Sequence, residues 1–299
     1  MMVYIMGRHN RTSQKVGKTI KIWFGVIMQS KLPTEYIVPE EFKNDLGKLT
    51  NALSDFYTSA RIARMENILL KRSRQVLTVF ENTHHGHNIS AILRTIDSFG
   101  FLDLFFLYSN RDMRFRSADT VDRGASQWLM PRALLSISQC ASILKKSNYK
   151  IALVTLPDFS RTSENYLESI PSFSSQMFAS DDFKNFVGQQ KIALIFGSEL
   201  HGVSPEWNQF ADMYVSVNMY GFSESLNVSV CAAIILQSLR ESLQSYQKNF
   251  FLNEIEKSLI FESWIAKNYA SAYSYLAKRK PELIDWYEFI VAGKFFQPN

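Results

Sequence analysis

The sequence predicts an α/β protein built on a parallel sheet with helices on both faces, and three observations carry that prediction. Short, continuously apolar, β-rich runs recur at 77–80 (LTVF), 102–107 (LDLFFL), 150–155 (KIALVT), 191–196 (KIALIF) and 213–217 (MYVSV), as expected of strands covered on both sides. Stretches with three- and four-residue apolar spacing separate them, so strand and helix alternate. The chain is long enough, at 299 residues with 46% hydrophobic and 20% charged content, to bury a sizeable core.

In chain order, basic residues concentrate first. Residues 1–80 hold 13 Lys and Arg against 6 Asp and Glu, whereas the remainder holds 20 against 22. Such a segment either meets a polyanion, releasing counterions from its phosphates, or is an ordinary solvated surface. Residues 22–28 (IWFGVIM) follow Lys15, Lys18 and Lys21 as a short signal core would, yet no A-x-A-like site follows, so secretion is not expected. Residues 1–27 are either disordered or upstream of a start at Met28. From 39 to 74, Phe42, Leu46, Leu49, Leu53, Phe56, Tyr57, Ala60, Ala63, Ile68 and Leu69 recur at helical spacing and predict one or two basic amphipathic helices.

Between the strands, helices are expected at 89–98, closed by Gly100, at 127–146 and from about 227 to 243. The last is apolar almost all round (Val228, Val230, Cys231, Ala232, Ala233, Ile234, Ile235, Leu236, Leu239), which predicts burial against the sheet and against a second subunit. Beyond 248 the chain reads helical and aromatic. The expected division is an extension at 1–50, a basic helical segment at 51–75, an α/β domain at 76–243 and a helical appendage at 244–299.

Several classes are disfavoured. No run of 18 apolar residues is present, so no membrane span is expected. Cys140 and Cys231 stand alone and far apart, which suits a reducing, cytoplasmic setting and offers neither a disulfide framework nor a Cys-rich zinc site. No two glycines are separated by a single residue, and Val203 stands where a phosphate loop after Gly197 and Gly202 requires Lys. The dinucleotide and Walker fingerprints are therefore missing.

Three polar segments follow strand ends, where α/β proteins place ligands. The first, 81–95, carries Glu81, Asn82, His84, His85, His87 and Asn88 into a helix, with Asn88 or Ser90 as candidate N-cap and Arg94 on the second turn. Its histidines are spaced too tightly for a helical zinc pair, so no metal is expected. In the second, 196–204, Gly197 and Gly202 flank Glu199. This suits a tight turn presenting backbone amides, with Glu199 holding a hydroxyl or a cation, or merely facing a helix N-terminus. The third, 218–229, places Ser225, Asn227 and Ser229 at the mouth of an otherwise apolar helix. One could be a cap; three buried polar groups need partners.

Taken together, N-I-S-A-I-L-R-T-x-D-S-F-G (88–100), I-F-G-S-E-x-x-G-V-S (195–204) and M-x-G-F-x-x-S-L-N-V-S-V-x-A-A (219–233) resemble the three ordered motifs of the SpoU, or TrmH-type, RNA 2′-O-ribose methyltransferases. The run around Asn82 and His87 resembles the tRNA-directed branch. The likeness spans about 60–243.

The resemblance implies a deep C-terminal trefoil knot forming an S-adenosylmethionine pocket, no metal, a homodimer, and a cytoplasmic enzyme. Its implied reaction is methyl transfer to a ribose 2′-hydroxyl of tRNA, at a guanosine of the D-loop, with rRNA as the alternative substrate and a non-catalytic RNA-binding protein as the other reading. It implies cofactor contacts at Thr155, Gly197, Val217 and Leu226. Arg94 matches the catalytic arginine, gripping a phosphate and polarising the hydroxyl or acting as a phosphate-assisted base. Asn88, Glu199, Ser225 and Asn227 complete the implied catalytic set, and Arg64 and His87 would touch RNA. Phe222, Ser223 and Glu224 depart from the usual Met, Val and Gln.

Overall fold

The apolar runs assemble into one sheet whose two faces are both covered. The computed structural model describes residues 36, 38–83, 85–108, 124–134, 136–156, 170–188, 190–246 and 250–294; residues 1–27, with the question of the start, and His84 lie outside these. The strands are β1 (Val76–Glu81), β2 (Asp103–Leu107), β3 (Met130–Leu134), β4 (Tyr149–Thr155), β5 (Ser172–Ser174), β6 (Lys191–Phe196) and β7 (Met213–Ser216). Every neighbouring pair is parallel, in the order β3-β2-β1-β6-β4-β7-β5.

The helices are α1 (Lys48–Leu53), α2 (Ser59–Leu69), α3 (Gly86–Ser98), α4 (Ile137–Lys146), α5 (Asp181–Val187), α6 (Val228–Tyr246), α7 (Glu254–Asn268), α8 (Ala272–Arg279) and α9 (Ile284–Val291). Alternation along β1 sorts the core into two layers. Val76 and Phe80 join the core under α3, α5 and α6, whereas Leu77 and Val79 join the core under α1, α2, α4, α7, α8 and α9. The helices after residue 250 are thus part of a sheet-covering layer that also holds the N-terminal helices.

Polar ties fasten that layer. Glu262 on α7 accepts from Leu49 N at 2.8 Å and from Trp286 Nε1 at 3.2 Å. The Tyr57 hydroxyl donates to Ile265 O at 2.7 Å. Arg74 bridges Asp103 at 2.7 Å and Glu256 at 2.8 Å, and α7 opens on a capping box between Asn253 and Glu256.

Two expectations need correction. The helix expected over 127–146 is a 3-10 turn (Ala125–Trp128), strand β3 and helix α4, capped by Ser136 through Gln139 N. Neither Asn88 nor Ser90 caps α3, because the helix starts earlier, at Gly86, with His85 as its N-cap residue. Gly100 does end the turn after α3 as expected, with φ +76°, a conformation that glycine adopts without steric cost.

Candidate active site at the carboxyl ends of the strands

Parallel pairing carries the polar segments to one edge of the sheet. Leu153 pairs with Ile195 and Thr155 with Ser216, so Gly197, Thr155 and Val217 end adjacent strands side by side. Gly197 cannot be otherwise: a Cβ there would lie 1.8 Å from Gly202 C and 2.0 Å from Gly202 O. The segment after it folds back on itself through Ser198 N to Gly202 O and Gly202 N to Ser198 O, both 3.0 Å, with Gly202 at φ +66°. His201 N donates to Ser198 Oγ at 3.1 Å and closes the turn. Buried Glu81, at the end of β1, holds the far side by accepting from Ser204 N at 3.1 Å and from the Ser204 hydroxyl.

This turn directs Glu199 towards α3. Asn88 Nδ2 donates to Glu199 Oε1 at 2.9 Å, and Asn88 Oδ1 accepts from Asn227 Nδ2 at 2.9 Å. Asn227 Oδ1 in turn accepts from Ser229 N at 2.9 Å and Ser229 Oγ at 2.7 Å, which caps α6. Asn227 O also takes Val230 N and Cys231 N, each at 3.0 Å. One hydrogen-bonded chain therefore joins residues 88, 199 and 227 from three separated segments. Both ends of the Asn88 side chain, inside the first turn of α3, are thus used across the site.

The remaining candidates fall around this chain at different distances. Val217 is buried and Leu226 half-buried against the α3–α6 core, while Thr155 is half-buried. Ser225, Asn227 and Glu199 are exposed, so the polar residues before α6 are not the buried groups the sequence suggested. His87 and Arg94 are exposed and seven residues apart on α3, which puts them on one stripe of the helix. Arg94 stands about 9 Å further along the axis than Asn88, at 1.5 Å per residue. Arg64, exposed on α2, is not brought to this edge; it lines a cavity shared with Asp97 and Ser98 at the other end of α3.

Glu81 is the residue whose role sequence reasoning missed. Its signal is a lone carboxylate ending an otherwise apolar strand. On α6, burial pushes the Cys231 thiol up to about 11, so it stays protonated at neutral pH and is no thiolate nucleophile. Among the described residues no group of three His, Cys, Asp or Glu side chains is gathered as for a metal, and no helix is long and apolar enough to cross a membrane.

With this geometry in place, likeness to known proteins is informative. The model of the SpoU rRNA Methylase family matches residues 75–237. A tRNA (guanosine(18)-2′-O)-methyltransferase of Borreliella burgdorferi is 31% identical over 229 residues, covering 76% of this chain and 95% of the relative. The enzyme of the same name from Aquifex aeolicus is 30% identical over 207 residues, 68% of this chain and 88% of the relative. In three dimensions, the crystal structure of the A. aeolicus TrmH/SpoU tRNA modifying enzyme superposes with a TM-score of 0.56 at 26% identity, over 70% of this chain and 96% of that one. The matched span contains all seven strands of the described residues and the Glu199–Asn88–Asn227 chain, and this protein belongs to the SpoU methylase family.

Proposed function

We propose that the chain is an S-adenosylmethionine-dependent RNA methyltransferase that methylates a ribose 2′-hydroxyl of tRNA, at a guanosine of the D-loop. The hydrogen-bonded chain from Glu199 through Asn88 to Asn227 carries this reading, because it joins the three family motifs at one sheet edge. Two relatives that bear a tRNA guanosine(18) name and cover most of this chain support the substrate.

The residues present fit the cofactor. Val217 and Leu226 offer an apolar wall for a flat base, and the tight turn at Gly197 and Gly202 exposes backbone beside it. Glu199 and nearby carbonyls suit a cationic group. When bound, S-adenosylmethionine supplies a methyl group on a positively charged sulfur. Thr155, Gly197, Val217 and Leu226 hold that molecule, and Asn88 keeps the Glu199 carboxylate oriented. Asn227, fixed by Ser229, and Ser225 border the space where the ribose enters. Arg94 grips the neighbouring phosphate with its planar fork and, from there, polarises the 2′-hydroxyl. His87, on the same stripe, contacts the RNA, and Arg64 extends the footprint along α3.

The working unit is a homodimer in the cytoplasm, its segments arranged as the family's knotted domain at 76–243 between N- and C-terminal helical parts. Support for a second copy comes from Leu200, Tyr220, Phe222 and Val230, large apolar side chains left exposed around the site loops and on α6. Support for the knot comes from β6 and β7 entering between earlier strands rather than adding at an edge.

The test is direct. Purified protein, labelled S-adenosylmethionine and separate pools of tRNA and rRNA should give label in alkali-resistant dinucleotides from tRNA. Label confined to rRNA would overturn the substrate, and label in bases would overturn the ribose chemistry.

A further inference from the structure

A second binding feature lies at the opposite end of α3 from the Glu199–Asn88–Asn227 chain. There α2, the turn before β1 and α7 enclose a cavity of about 450 Å³. Its lining includes Arg61, Arg64, Lys71, Arg72, Trp128 and Trp264, with Asp97 as the carboxylate. Arg72 engages that carboxylate, so the cavity has an excess of cations. Arg61, Arg64 and Lys71 form an exposed rim, whereas Arg72 and Trp264 are almost fully buried in the floor.

The floor is incompletely satisfied. Arg72 Nε and Trp264 Nε1 are buried N–H donors with no acceptor, although Arg72 also gives hydrogen bonds to Asp97 O at 3.0 Å and Phe101 O at 3.3 Å. Trp128 forms a half-buried wall, set edge-on to Trp264 at 5.4 Å and flanked by Arg61 at 5.9 Å from its ring. A flat ring carrying an anion fits the exposed cations of the rim and the Trp128 wall together.

We infer that this cavity binds a nucleoside phosphate: the cationic rim of Arg61, Arg64 and Lys71 takes the phosphate, and Trp128 takes the base. The inference rests on the proposed RNA substrate and extends it, naming a second nucleotide of the same tRNA as the occupant. The nine residue steps along α3 from Asn88 to Asp97 rise about 14 Å at 1.5 Å each, so this nucleotide is not the one whose ribose reacts. Trp264 belongs to α7, and the cavity thereby gives the C-terminal helices a part in RNA binding.

The test uses the full-length protein with guanosine 5′-monophosphate, inorganic phosphate and an unmodified tRNA transcript as probes. Tryptophan fluorescence and titration calorimetry are read for the parent and for Lys71→Glu, with Lys71→Arg as the conservative control. Lys71 is exposed at the rim, so both variants should fold. The expected result is that the nucleotide quenches tryptophan emission more strongly than inorganic phosphate. Lys71→Glu should then weaken nucleotide and tRNA binding about tenfold and lower the salt slope for tRNA by about one, and Lys71→Arg should restore both. S-adenosylmethionine affinity should be unchanged, and in turnover the KM for tRNA should rise while kcat holds. Weakened nucleotide binding with unaltered tRNA binding keeps the pocket and makes a free nucleotide its occupant. No tryptophan response to the nucleotide, or equal affinities in parent and Lys71→Glu, overturns it. Because the mononucleotide arm needs no methyl transfer, failure of the enzymatic assay alone would refute the proposed function and leave this result readable.

Discussion

At Gly197 a single missing side chain decides whether the site exists. Its hydrogen occupies space that a Cβ would have to share with Gly202 at 1.8 Å, so Gly197→Ala must displace the backbone that presents Glu199. Overpacking of this kind costs about 1–3 kcal/mol. We expect a lowered midpoint in urea unfolding together with loss of S-adenosylmethionine binding by calorimetry; a variant with parental cofactor affinity would remove this turn from the pocket. Arg94→Ala should lower kcat at least about 100-fold, the range for lost transition-state hydrogen bonding and charge, with cofactor affinity retained. Unaltered turnover would take Arg94 out of the reaction. At this scale the sequence was informative about composition and silent about connection. Asn88, Glu199 and Asn227 were visible as polar residues after strands, but their shared hydrogen bonds span 111 and 139 positions, which no local pattern encodes. The expected capping role of Asn88 failed on register: α3 starts at Gly86, which leaves the Asn88 side chain inside the first turn and available to the site.

Among the elements, α1 and α7 depend on one carboxylate. Glu262 accepts from Leu49 N and Trp286 Nε1, and Glu262→Ala would leave both donors unsatisfied, at about 1–3 kcal/mol each. The unfolding free energy should fall accordingly. Burial pushes the Glu262 carboxyl above its usual range, although hydrogen bonds from Leu49 and Trp286 pull the other way. The folded chain therefore holds this proton more tightly than the unfolded chain. The group favours folding below the ordinary carboxylate pKa, and that contribution is lost as pH rises through the raised value. Glu262→Gln removes the titration, so its stability relative to the parent should improve as pH rises above the ordinary carboxylate range; a difference independent of pH would show that Glu262 does not titrate there. Strands with apolar runs of four or more were legible because both faces are buried. The two that were missed are the sheet edges. β3 holds Pro131, tolerated at an edge where no further ladder bond is needed, and its apolar residues blended with the period of α4. β5 is the three residues Ser-Phe-Ser, too short for any pattern.

For the molecule as a whole, strand order explains how distant motifs meet. β6 enters between β1 and β4, and β7 between β4 and β5, so the loops after β6 and β7 open beside the start of α3. The parallel sheet followed from strand–helix alternation; the insertion order did not, because it is set by long-range pairing. The same architecture packs the helices after residue 250 with α1 and α2 over the opposite face. The molecule therefore carries the Glu199–Asn88–Asn227 chain at one end of α3 and a basic cavity at the other. The most direct test of three segments acting as one site is a double-mutant cycle on kcat/KM for tRNA methylation, using Asn88→Ala, Asn227→Ala and the pair. If both side chains serve one hydrogen-bonded unit, the double variant should lose about tenfold less than the product of the single losses, a coupling of about 1.4 kcal/mol. Single losses that multiply fully would show two independent residues and contradict the account.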